Sequence, residues 1–462
     1  MQTVHIDHFN GCRIHFVGIG GISMSGLAEI LLKRGYAVTG SDLRESHITQ
    51  KLRKKGAKVF IGHDSTNVQG AQLVVHTAAV KEDNPEIQEA RKRNIPVIDR
   101  ATLLGQVMEA YPYSIAVSGT HGKTTTTSML STVLLRANLD PTILVGGELD
   151  AIGGNVRVGS SPYFITEACE YVESFLHFKP YLAIILNIDT DHLDYFKDID
   201  HIYQAFTKFA RLVPQNGYAV GCIDDPLVAK LLSQLQCNTV SYGINGPSDW
   251  KACDIHYSTQ GTACFKAYYR GEYVGDVALS VPGKHNVYNA LAATAAAHAL
   301  GIPFEVIKEA LADYRGTHRR LEFKGKRGDV TIIDDYAHHP TEIKATLETV
   351  QYYPHNRIWC VFQPHTYTRT KKLFNLFVHA FKQADRLIIT DIYAAREKDT
   401  GEIHSRDLVK AIQQTGQPCM YLQTFEEIVD YLKDNISPGD IVITVGAGDV
   451  YRVGDMLLNS VS

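Results

Sequence analysis

The chain has 462 residues, a length that suits about three domains of ~150 residues each. Hydrophobic residues make up 45% and charged residues 21% of the sequence, as is typical of globular proteins whose domains each bury a core. The net charge of −4, without a long basic run, argues against nucleic acid as the main partner, because binding to a phosphate backbone requires clustered positive charge.

The first segment alternates short apolar runs with helical spacing of apolar residues. Strands are predicted at 13–17, 36–40, 59–61, 73–76 and 96–98, and helices at 23–34, 84–93 and near 100–109. Strands that alternate with helices form parallel sheets, so we predict a Rossmann-like N-terminal domain over residues 1–109.

The turn after the first strand reads Gly18-Ile-Gly-Gly21. It begins like the dinucleotide fingerprint but has Ser23 where that fingerprint requires glycine, and Asp42 ends the next strand, where an acidic residue would meet a ribose hydroxyl. A dinucleotide and a nucleotide diphosphate fit this helix N-terminus equally well, and tight packing of strand on helix is the structural alternative. The predicted binding residues are Gly18, Gly20, Gly21 and Asp42.

A phosphate-binding loop opens the second segment. Residues 119–126 read GTHGKTTT, between the apolar run 114–117 and an amphipathic stretch at 127–135. Glycine turns let backbone amides approach phosphate oxygens, Lys123 reaches the terminal phosphates and the Thr124 hydroxyl suits Mg²⁺. Val117 stands where the full pattern has glycine, so the loop is a shortened variant. The sequence therefore predicts that the chain binds a nucleoside triphosphate.

The rest of this segment predicts a P-loop ATPase-like α/β domain over residues 110–318. Further strands are predicted at 142–145, 163–165, 182–186 and 218–221, antiparallel strands within 254–281, and an alanine-rich helix at 287–300. Two polar motifs, 167–170 and 187–192, follow strands and are expected to face the phosphate loop. Because Mg²⁺ prefers oxygen ligands, Glu167 and Thr124 are apt ligands, whereas His192 is an unusual one that could equally be a loop histidine.

Polar residues also gather at the border of the third segment. Asn286 and Asn289 open the alanine-rich helix, where side-chain amides can read an adenine edge, although Asn286 is equally suited to an N-cap. The motif 318–322, HRRLE, places two arginines at the domain border.

The last segment again alternates strands and helices, with strands predicted at 330–333, 358–362, 386–390, 419–422 and 441–445. This pattern indicates a C-terminal Rossmann-like α/β domain over residues 319–462.

The eight cysteines include no C-x-x-C pair, which argues against a zinc knuckle, and a chain of this size does not need disulfides. The N-terminus lacks the basic and apolar regions of a signal peptide, and the longest run of small apolar residues, 290–300, is too short to cross a bilayer. We therefore expect a cytoplasmic protein without membrane insertion.

Together these motifs resemble the Mur ligase family of peptidoglycan synthesis along essentially the whole chain. The resemblance rests on HFVGIGGISMSGLA, GSD, AVSGTHGKTTT, EACEY, LNIDTDHLDYF, GKHNVYNALAA, THRRLE, DDYAHHPTE, FQPHTYTRT and GAGDVYR, in this order. It implies a three-domain ligase that uses ATP and Mg²⁺ to join L-alanine to the lactyl carboxylate of UDP-N-acetylmuramate through an acyl phosphate, acting as a monomer or homodimer.

The resemblance also implies residue roles. The first domain would hold the UDP part of the substrate, with the diphosphate at Gly18, Gly20 and Gly21 and the uridine near Asp42. ATP would bind to Gly119, Thr120, His121, Gly122, Lys123, Thr124, Thr125, Asn286, Asn289, Arg320 and Asp335. Thr124, Glu167 and His192 would bind magnesium, Tyr336, His338 and Arg369 would lie at the amino acid, and the catalytic set would be Lys123, Glu167, His192, Arg320 and His338.

Two departures from the family pattern and several alternatives accompany this interpretation. Thr366 stands where many relatives have arginine, and Lys208 lies out of phase with the carbamylated lysine of other members, so it receives no role. One alternative is the recycling ligase that attaches a whole peptide to UDP-N-acetylmuramate. The others are an NAD-dependent dehydrogenase, which Ser23 and the second phosphate loop disfavour, and a non-catalytic nucleotide-binding regulator, which the intact Lys123, Thr124 and Glu167 disfavour.

Overall fold

Three β-sheets, each covered by helices, follow one another along the chain in the computed structural model, which describes residues 4–77, 79–395 and 397–459. The first sheet has five strands, the second ten and the third six. The predicted α/β fold class, with Rossmann-like sheets at both ends and a phosphate-loop sheet in the centre, is confirmed. The domain borders at 109/110 and 318/319 stay a prediction.

The first sheet is parallel throughout, with the order β3-β2-β1-β4-β5. Its strands are β1 (Arg13–Val17), β2 (Ala37–Asp42), β3 (Lys58–Ile61), β4 (Leu73–His76) and β5 (Val97–Asp99), and its helices are α1 (Ile22–Lys33), α2 (His47–Lys54), α3 (Pro85–Lys92) and α4 (Arg100–Glu109). Local sequence defines the helix starts, because Ser46, Asn84 and Asp99 accept hydrogen bonds from first-turn amides.

The central sheet is parallel in its middle and has antiparallel strand pairs at both edges. It contains β6 (Tyr113–Ser118), β7 (Thr142–Leu149), β8 (Gly154–Arg157), β9 (Tyr163–Glu167), β10 (Leu182–Ile185), β11 (Tyr218–Cys222), β12 (Asn238–Gly243), β13 (Trp250–Tyr257), β14 (Thr262–Tyr269) and β15 (Glu272–Pro282). The helices are α5 (Lys123–Arg136), α6 (Ile199–Ala210), α7 (Pro226–Leu232), α8 (Lys284–Ala299) and α9 (Phe304–Asp313). The order β15-β14-β13-β12-β11-β10-β6-β9-β7-β8 places β6 between β10 and β9, both parallel to it.

The third sheet has the order β16-β17-β21-β18-β19-β20, with only β16 antiparallel to its neighbour. Its strands are β16 (Glu322–Arg327), β17 (Val330–Asp335), β18 (Ile358–Phe362), β19 (Arg386–Ile389), β20 (Cys419–Tyr421) and β21 (Ile441–Val445). The helices are α10 (Pro340–Val350), α11 (Tyr367–Lys372), α12 (Phe374–Val378), α13 (Ser405–Gln414), α14 (Phe425–Asn435) and α15 (Tyr451–Asn459).

The first two domains share one hydrophobic core. Helix α1 packs against β7 and β8 of the central sheet, and a Cβ at Gly26 of α1 would lie 2.2 Å from the Leu144 side chain. Leu144 therefore belongs to the same cluster as Leu27 and Leu31 of α1. A larger residue at this position would require the Leu144 side chain to move, so Gly26 contributes to the close packing of α1 on the central sheet.

Most of the predicted strands and helices are present, with shifted ends. Helix α5 begins at Lys123, four residues before the predicted amphipathic stretch, because its first turn is the polar Lys-Thr part of the phosphate loop. The strands β8, β12 and β16 were not predicted. None of the helices within the described residues has the length and apolar composition needed to cross a membrane.

Candidate active site

The phosphate loop lies at the carboxyl end of β6 and is held in place by the residues that directly follow the neighbouring strand β10. The Asn187 side chain accepts from the His121 amide at 2.8 Å and donates to the His121 carbonyl at 3.0 Å. Gly119 and Gly122 have φ angles of +139° and +85°, and a Cβ at Gly119 would lie 2.8 Å from Leu186. The predicted glycine turn is therefore required both by its backbone angles and by the closeness of β10.

Lys123 is embedded among acceptors at the start of α5. Its Nζ donates to the carbonyls of Gly119 and Thr120 and lies 2.9 Å from Oε2 of Glu170. Burial alone would lower the pKa of Lys123, but the buried Glu170 carboxylate raises it above its ordinary value. The lysine therefore stays charged at the phosphate loop.

Two of the three predicted metal ligands are in contact. The Thr124 hydroxyl donates to Oε2 of Glu167 at 3.0 Å, and Oε1 of Glu167 accepts from the Gly146 amide at 2.6 Å. His192 has an unusual φ of +51°, and its Nε2 lies 3.8 Å from Glu170, the carboxylate that also contacts Lys123. The structure thus joins His192 to this cluster through Glu170.

A cavity of about 490 Å³ extends from the phosphate loop to the third domain, within the size range of small-molecule sites. Seven of the predicted ATP-binding residues line it: His121, Gly122, Thr125, Asn286, Asn289, Arg320 and Asp335. Apolar and aromatic side chains form the rest of its wall, among them Leu186, Val281, Tyr288 and Tyr314. Such a cavity can hold a planar base beside polar phosphate-binding groups.

Asparagines and an aspartate give this cavity its hydrogen-bonding groups. Asn289 donates to Oδ1 of Asn286 at 3.0 Å and accepts from Thr126 at 3.2 Å, so the two asparagines form one unit with α5. Asp335 accepts from the amides of Leu321 and Ala337. Burial raises the pKa of Asp335 to about 6 despite the nearby Arg320.

The third-domain loops bring together Tyr336, His338 and Arg369. The Tyr336 ring lies under the guanidinium groups of Arg319 and Arg320, at 4.9 Å and 5.1 Å from its centroid. His338 Nδ1 lies 3.0 Å from the Tyr336 carbonyl, and burial lowers the pKa of His338 to about 4. A neutral imidazole that donates from Nδ1 to a carbonyl has its Nε2 lone pair available as an acceptor.

Arg369 bonds to the central domain. Its Nε lies 3.1 Å from Oδ1 and its Nη2 3.3 Å from Oδ2 of Asp191, which follows β10. The predicted position of Arg369 at the amino acid stays a prediction, and in the structure the Nε–Nη2 edge of its guanidinium binds Asp191.

A second pairing across the same border involves the phosphate loop itself. His121 lies with Nε2 3.1 Å from Asp189 and Nδ1 3.2 Å from Glu342 of α10. The nearby His339 contacts the Thr190 carbonyl through Nε2 and accepts from the Thr341 amide through Nδ1. His121, Asp189 and His339 are close enough to hold a metal ion, but their ring nitrogens already have protein partners, so we interpret the cluster as a hydrogen-bonded domain contact.

The amides of the glycine turn in the first domain already donate to acceptors within that domain. Gly18 and Ile19 donate to the Ser41 carbonyl at 2.9 Å and 3.0 Å, and Gly20 donates to Asp42 at 2.8 Å. Helix α1 then begins without a side-chain cap. The predicted contact of Gly18, Gly20 and Gly21 with a diphosphate stays a prediction, and the first-turn amides of α1 are the additional donors that the structure offers.

Comparisons with known proteins agree along the whole chain. Family models described as "Mur ligase family, catalytic domain", "Mur ligase middle domain" and "Mur ligase, glutamate ligase domain" match residues 13–112, 117–297 and 319–448. The curated UDP-N-acetylmuramate–L-alanine ligase of Acetivibrio thermocellus is 59% identical over 96% of this chain and 95% of its own length. The chain belongs to the Mur ligase family.

Solved structures match this Mur ligase over almost its full length. The UDP-N-acetylmuramate–alanine ligase of Thermotoga maritima has a TM-score of 0.83 and 30% identity, covering 97% of this chain and 98% of its own. A murein peptide ligase from Psychrobacter arcticus has a TM-score of 0.74 and 26% identity, covering 98% of this chain and 100% of its own.

Sequence reasoning missed four acidic side chains of this Mur ligase site. Glu170 pairs with Lys123, Asp189 and Glu342 pair with His121, and Asp191 pairs with Arg369. All four lie within the motifs that the sequence singled out, but their partners are distant along the chain. Lys208, which received no role, pairs with Glu173 at 2.9 Å.

The pairing of His121 predicts a pH-dependent stability. Burial alone would lower the pKa of His121, but Asp189 and Glu342 raise it from 6.5 to about 9. The charged imidazole therefore stabilises the folded protein fully below pH 6.5, and this contribution, on the order of 3 kcal/mol, is lost as the pH rises toward 9. Calorimetry should show that wild type exceeds His121→Gln in melting temperature at about pH 6, and that the difference shrinks by about pH 9.5.

The matched control is His379→Gln, since His379 is exposed and lies on the surface of the third domain. Its melting temperature should follow that of wild type at every pH. A difference between wild type and His121→Gln that stays constant over this range would contradict the assigned charge.

Proposed function

We propose that this Mur ligase joins L-alanine to the lactyl carboxylate of UDP-N-acetylmuramate and converts ATP to ADP and phosphate. The observation that carries the proposal is the cavity between the central and third domains, because the phosphate loop, Asn286, Asn289 and Arg320 all border it. The names of the relatives that match this chain almost end to end support the choice of substrates.

Amide formation requires activation of the carboxylate, because a carboxylate and an amine do not condense in water. Transfer of the γ-phosphoryl group of ATP to the lactyl carboxylate gives an acyl phosphate. The alanine amine attacks the acyl carbon, a tetrahedral intermediate forms, and phosphate leaves as the amide is produced. Catalysis of such a transfer depends on positioning and on neutralising phosphate charge.

Lys123, which follows the cavity-lining Gly122, and Arg320, which lines the cavity, would neutralise this charge. Lys123 is held at the phosphate loop by the carbonyls of Gly119 and Thr120, and exchange of Glu170 for phosphate would keep its ammonium group paired. Arg320 reaches the cavity from the third domain and lies beside the Tyr336 ring. The two cations belong to different domains, so phosphate binding would favour their close approach.

The donor set beside Lys123 fits magnesium. Thr124 and Glu167 offer hard oxygen atoms 3.0 Å apart, as Mg²⁺ prefers, and His192 would complete the proposed set. When bound, Mg²⁺ supplies positive charge to the phosphate oxygens. Glu167 is oriented by the Gly146 amide, and Thr124 by its place in the first turn of α5.

His338 is the proposed acceptor of the alanine amine proton. Its low pKa of about 4 keeps the ring neutral at physiological pH, and the bond from Nδ1 to the Tyr336 carbonyl leaves Nε2 as the acceptor. The T-shaped contact of the ring with Tyr336, at 5.5 Å between centroids, fixes its orientation. Asp335 and the other ATP-binding residues would hold the nucleotide.

The recycling ligase is the second candidate, because a murein peptide ligase also matches the fold. The 59% identity to an L-alanine ligase favours the single amino acid as substrate.

We further propose a cytoplasmic location, which the eight free thiols support, and a monomer or homodimer as the assembly.

Removal of Lys123 or Glu167 should abolish most activity. Lys123→Ala leaves phosphate charge uncompensated, and Glu167→Ala removes a magnesium ligand. Comparable losses at electrostatic sites lower the rate by about 10²–10³. Steady-state phosphate release is the measurement, with Lys433→Ala, an exposed lysine of α14, as the matched control. Turnover near that of wild type in either site variant would refute its assigned role.

The first domain should select a UDP-sugar over NAD(P). Ser23 interrupts the dinucleotide fingerprint, and Oδ2 of Asp42 already accepts from the Gly20 amide. Titration calorimetry of the whole chain should detect binding of UDP-N-acetylmuramate and no useful affinity for NAD or NADP. Micromolar NAD binding without UDP-sugar binding would overturn the ligase proposal.

Amino-acid choice should depend on the third-domain loops. Larger side chains would be excluded by size, whereas glycine differs from alanine by one methyl group, worth about 1–3 kcal/mol, and should remain a poor but detectable substrate. Steady-state kinetics with alanine, glycine and serine test this choice of amino acid.

Replacement of Arg369 should affect alanine and not ATP. Arg369→Lys should raise the KM for alanine and leave the KM for ATP nearly unchanged, because lysine cannot form a two-pronged carboxylate contact. A weakened ATP affinity with unchanged alanine KM would show that Arg369 serves another ligand.

A further inference from the structure

An arginine of the third domain is already bound to a carboxylate of the central domain. Nε and Nη2 of Arg369, in α11, contact the two carboxylate oxygens of Asp191 at 3.1 Å and 3.3 Å. The side chains are 11% and 8% exposed, so the pair is largely shielded from water. This two-pronged geometry is the one by which arginine recognises free carboxylates.

The rest of the guanidinium group is also engaged. Nη1 of Arg369 lies 3.0 Å from Nδ1 of His365. The adjoining cavity, bordered by Asp191, Arg369 and Lys372, measures about 20 Å³ and has room for about one water molecule. A second carboxylate cannot enter beside Asp191, and it reaches this edge of Arg369 only by taking the place of Asp191.

We propose that Asp191 is an internal substitute for the amino-acid carboxylate, a positioning residue that holds Arg369 until the incoming amino acid displaces it. This inference rests on the proposed function, in which Arg369 binds that carboxylate. The exchange forms and breaks only an ion pair, so the guanidinium is paired with a carboxylate before and after it. Binding of the amino acid therefore competes with an intramolecular contact, which lowers the apparent affinity for alanine.

The displaced carboxylate has other partners close by. Oδ1 of Asp191 also accepts from the His192 amide at 2.7 Å, and the His192 ring lies 3.8 Å from Oδ2. Lys372 borders the same small cavity, and its Nζ donates to the Leu193 carbonyl. Asp191 can therefore leave Arg369 without becoming an isolated buried charge, which would be costly.

The exchange also predicts a preference for ligands that carry a free carboxylate. A ligand without that group, such as alaninamide, gains nothing from Arg369 that offsets the loss of the Asp191 pair. A free amino acid replaces one charged pair by another. Asp191 would thus contribute to specificity through competition, even though it would make no direct contact with the bound amino acid.

The test compares Asp191→Asn with wild type in steady-state phosphate release. Asparagine keeps the shape of the side chain but removes its charge, so Arg369 should be easier to reach. The KM for alanine should fall about ten-fold, equivalent to about 1.4 kcal/mol, while the KM values for ATP and UDP-N-acetylmuramate stay within about two-fold. An alanine KM that is unchanged or raised would overturn the inference.

The matched control is Asp194→Asn, which removes a charge from the same loop. Asp194 borders the same small cavity and accepts from the Tyr171 hydroxyl at 2.9 Å. Its alanine KM should equal that of wild type. A ten-fold fall in this control would attribute the effect to the general charge of the loop and would also overturn the inference.

A double-mutant cycle separates competition from a general loosening of the domain border. In an Arg369→Lys background the two-pronged pair is absent, so Asp191→Asn should no longer lower the alanine KM. A fall of equal size in both backgrounds would overturn the inference. Failure of the proposed function appears separately, as a wild-type enzyme that releases no phosphate in response to alanine.

Discussion

The loop that follows β10 connects the two halves of the proposed active site. At one end Asn187 binds both backbone groups of His121 in the phosphate loop. A few residues later Asp189, Asp191 and the Leu193 carbonyl bond to Thr341, Arg369 and Lys372 of the third domain. One short segment of the central domain therefore contacts both the phosphate loop and the third domain.

Charge distribution at this border follows from the cost of burying ions. Three cations of the border are each paired with a carboxylate: Lys123 with Glu170, His121 with Glu342, and Arg369 with Asp191. All six side chains are at least partly shielded from water. A buried charge without a partner would be strongly destabilising, so each of these cations is paired with a protein carboxylate. In the proposed function, ligand binding at this site is an exchange of anions that depends on how strongly each internal carboxylate competes.

The sheet topology explains why residues far apart in sequence converge. Strand β6 lies between β9 and β10, so the phosphate loop, Glu167 and Asn187 extend from three adjacent parallel strands. In the third sheet Asp335 and the glycine turn at Gly446 likewise end adjacent strands. Carboxyl ends of parallel strands form the binding edge of open α/β sheets, and here two such edges face each other across one cavity.

The sequence by itself determined the α/β class, the phosphate loop and the motifs that line the cavity, because strand periodicity, glycine turns and the Lys-Thr pair are local features. It also predicted that the 167–170 motif faces the phosphate loop, where Glu167 contacts Thr124. It did not predict β8, β12 and β16, which are short or polar and depend on pairing with neighbouring strands. Only the tertiary structure decided that Glu170 pairs with Lys123, Glu342 with His121 and Asp191 with Arg369. These partners are separated by 47, 221 and 178 residues, and a preference for opposite charge does not select one carboxylate among 50 acidic residues until the fold brings them together.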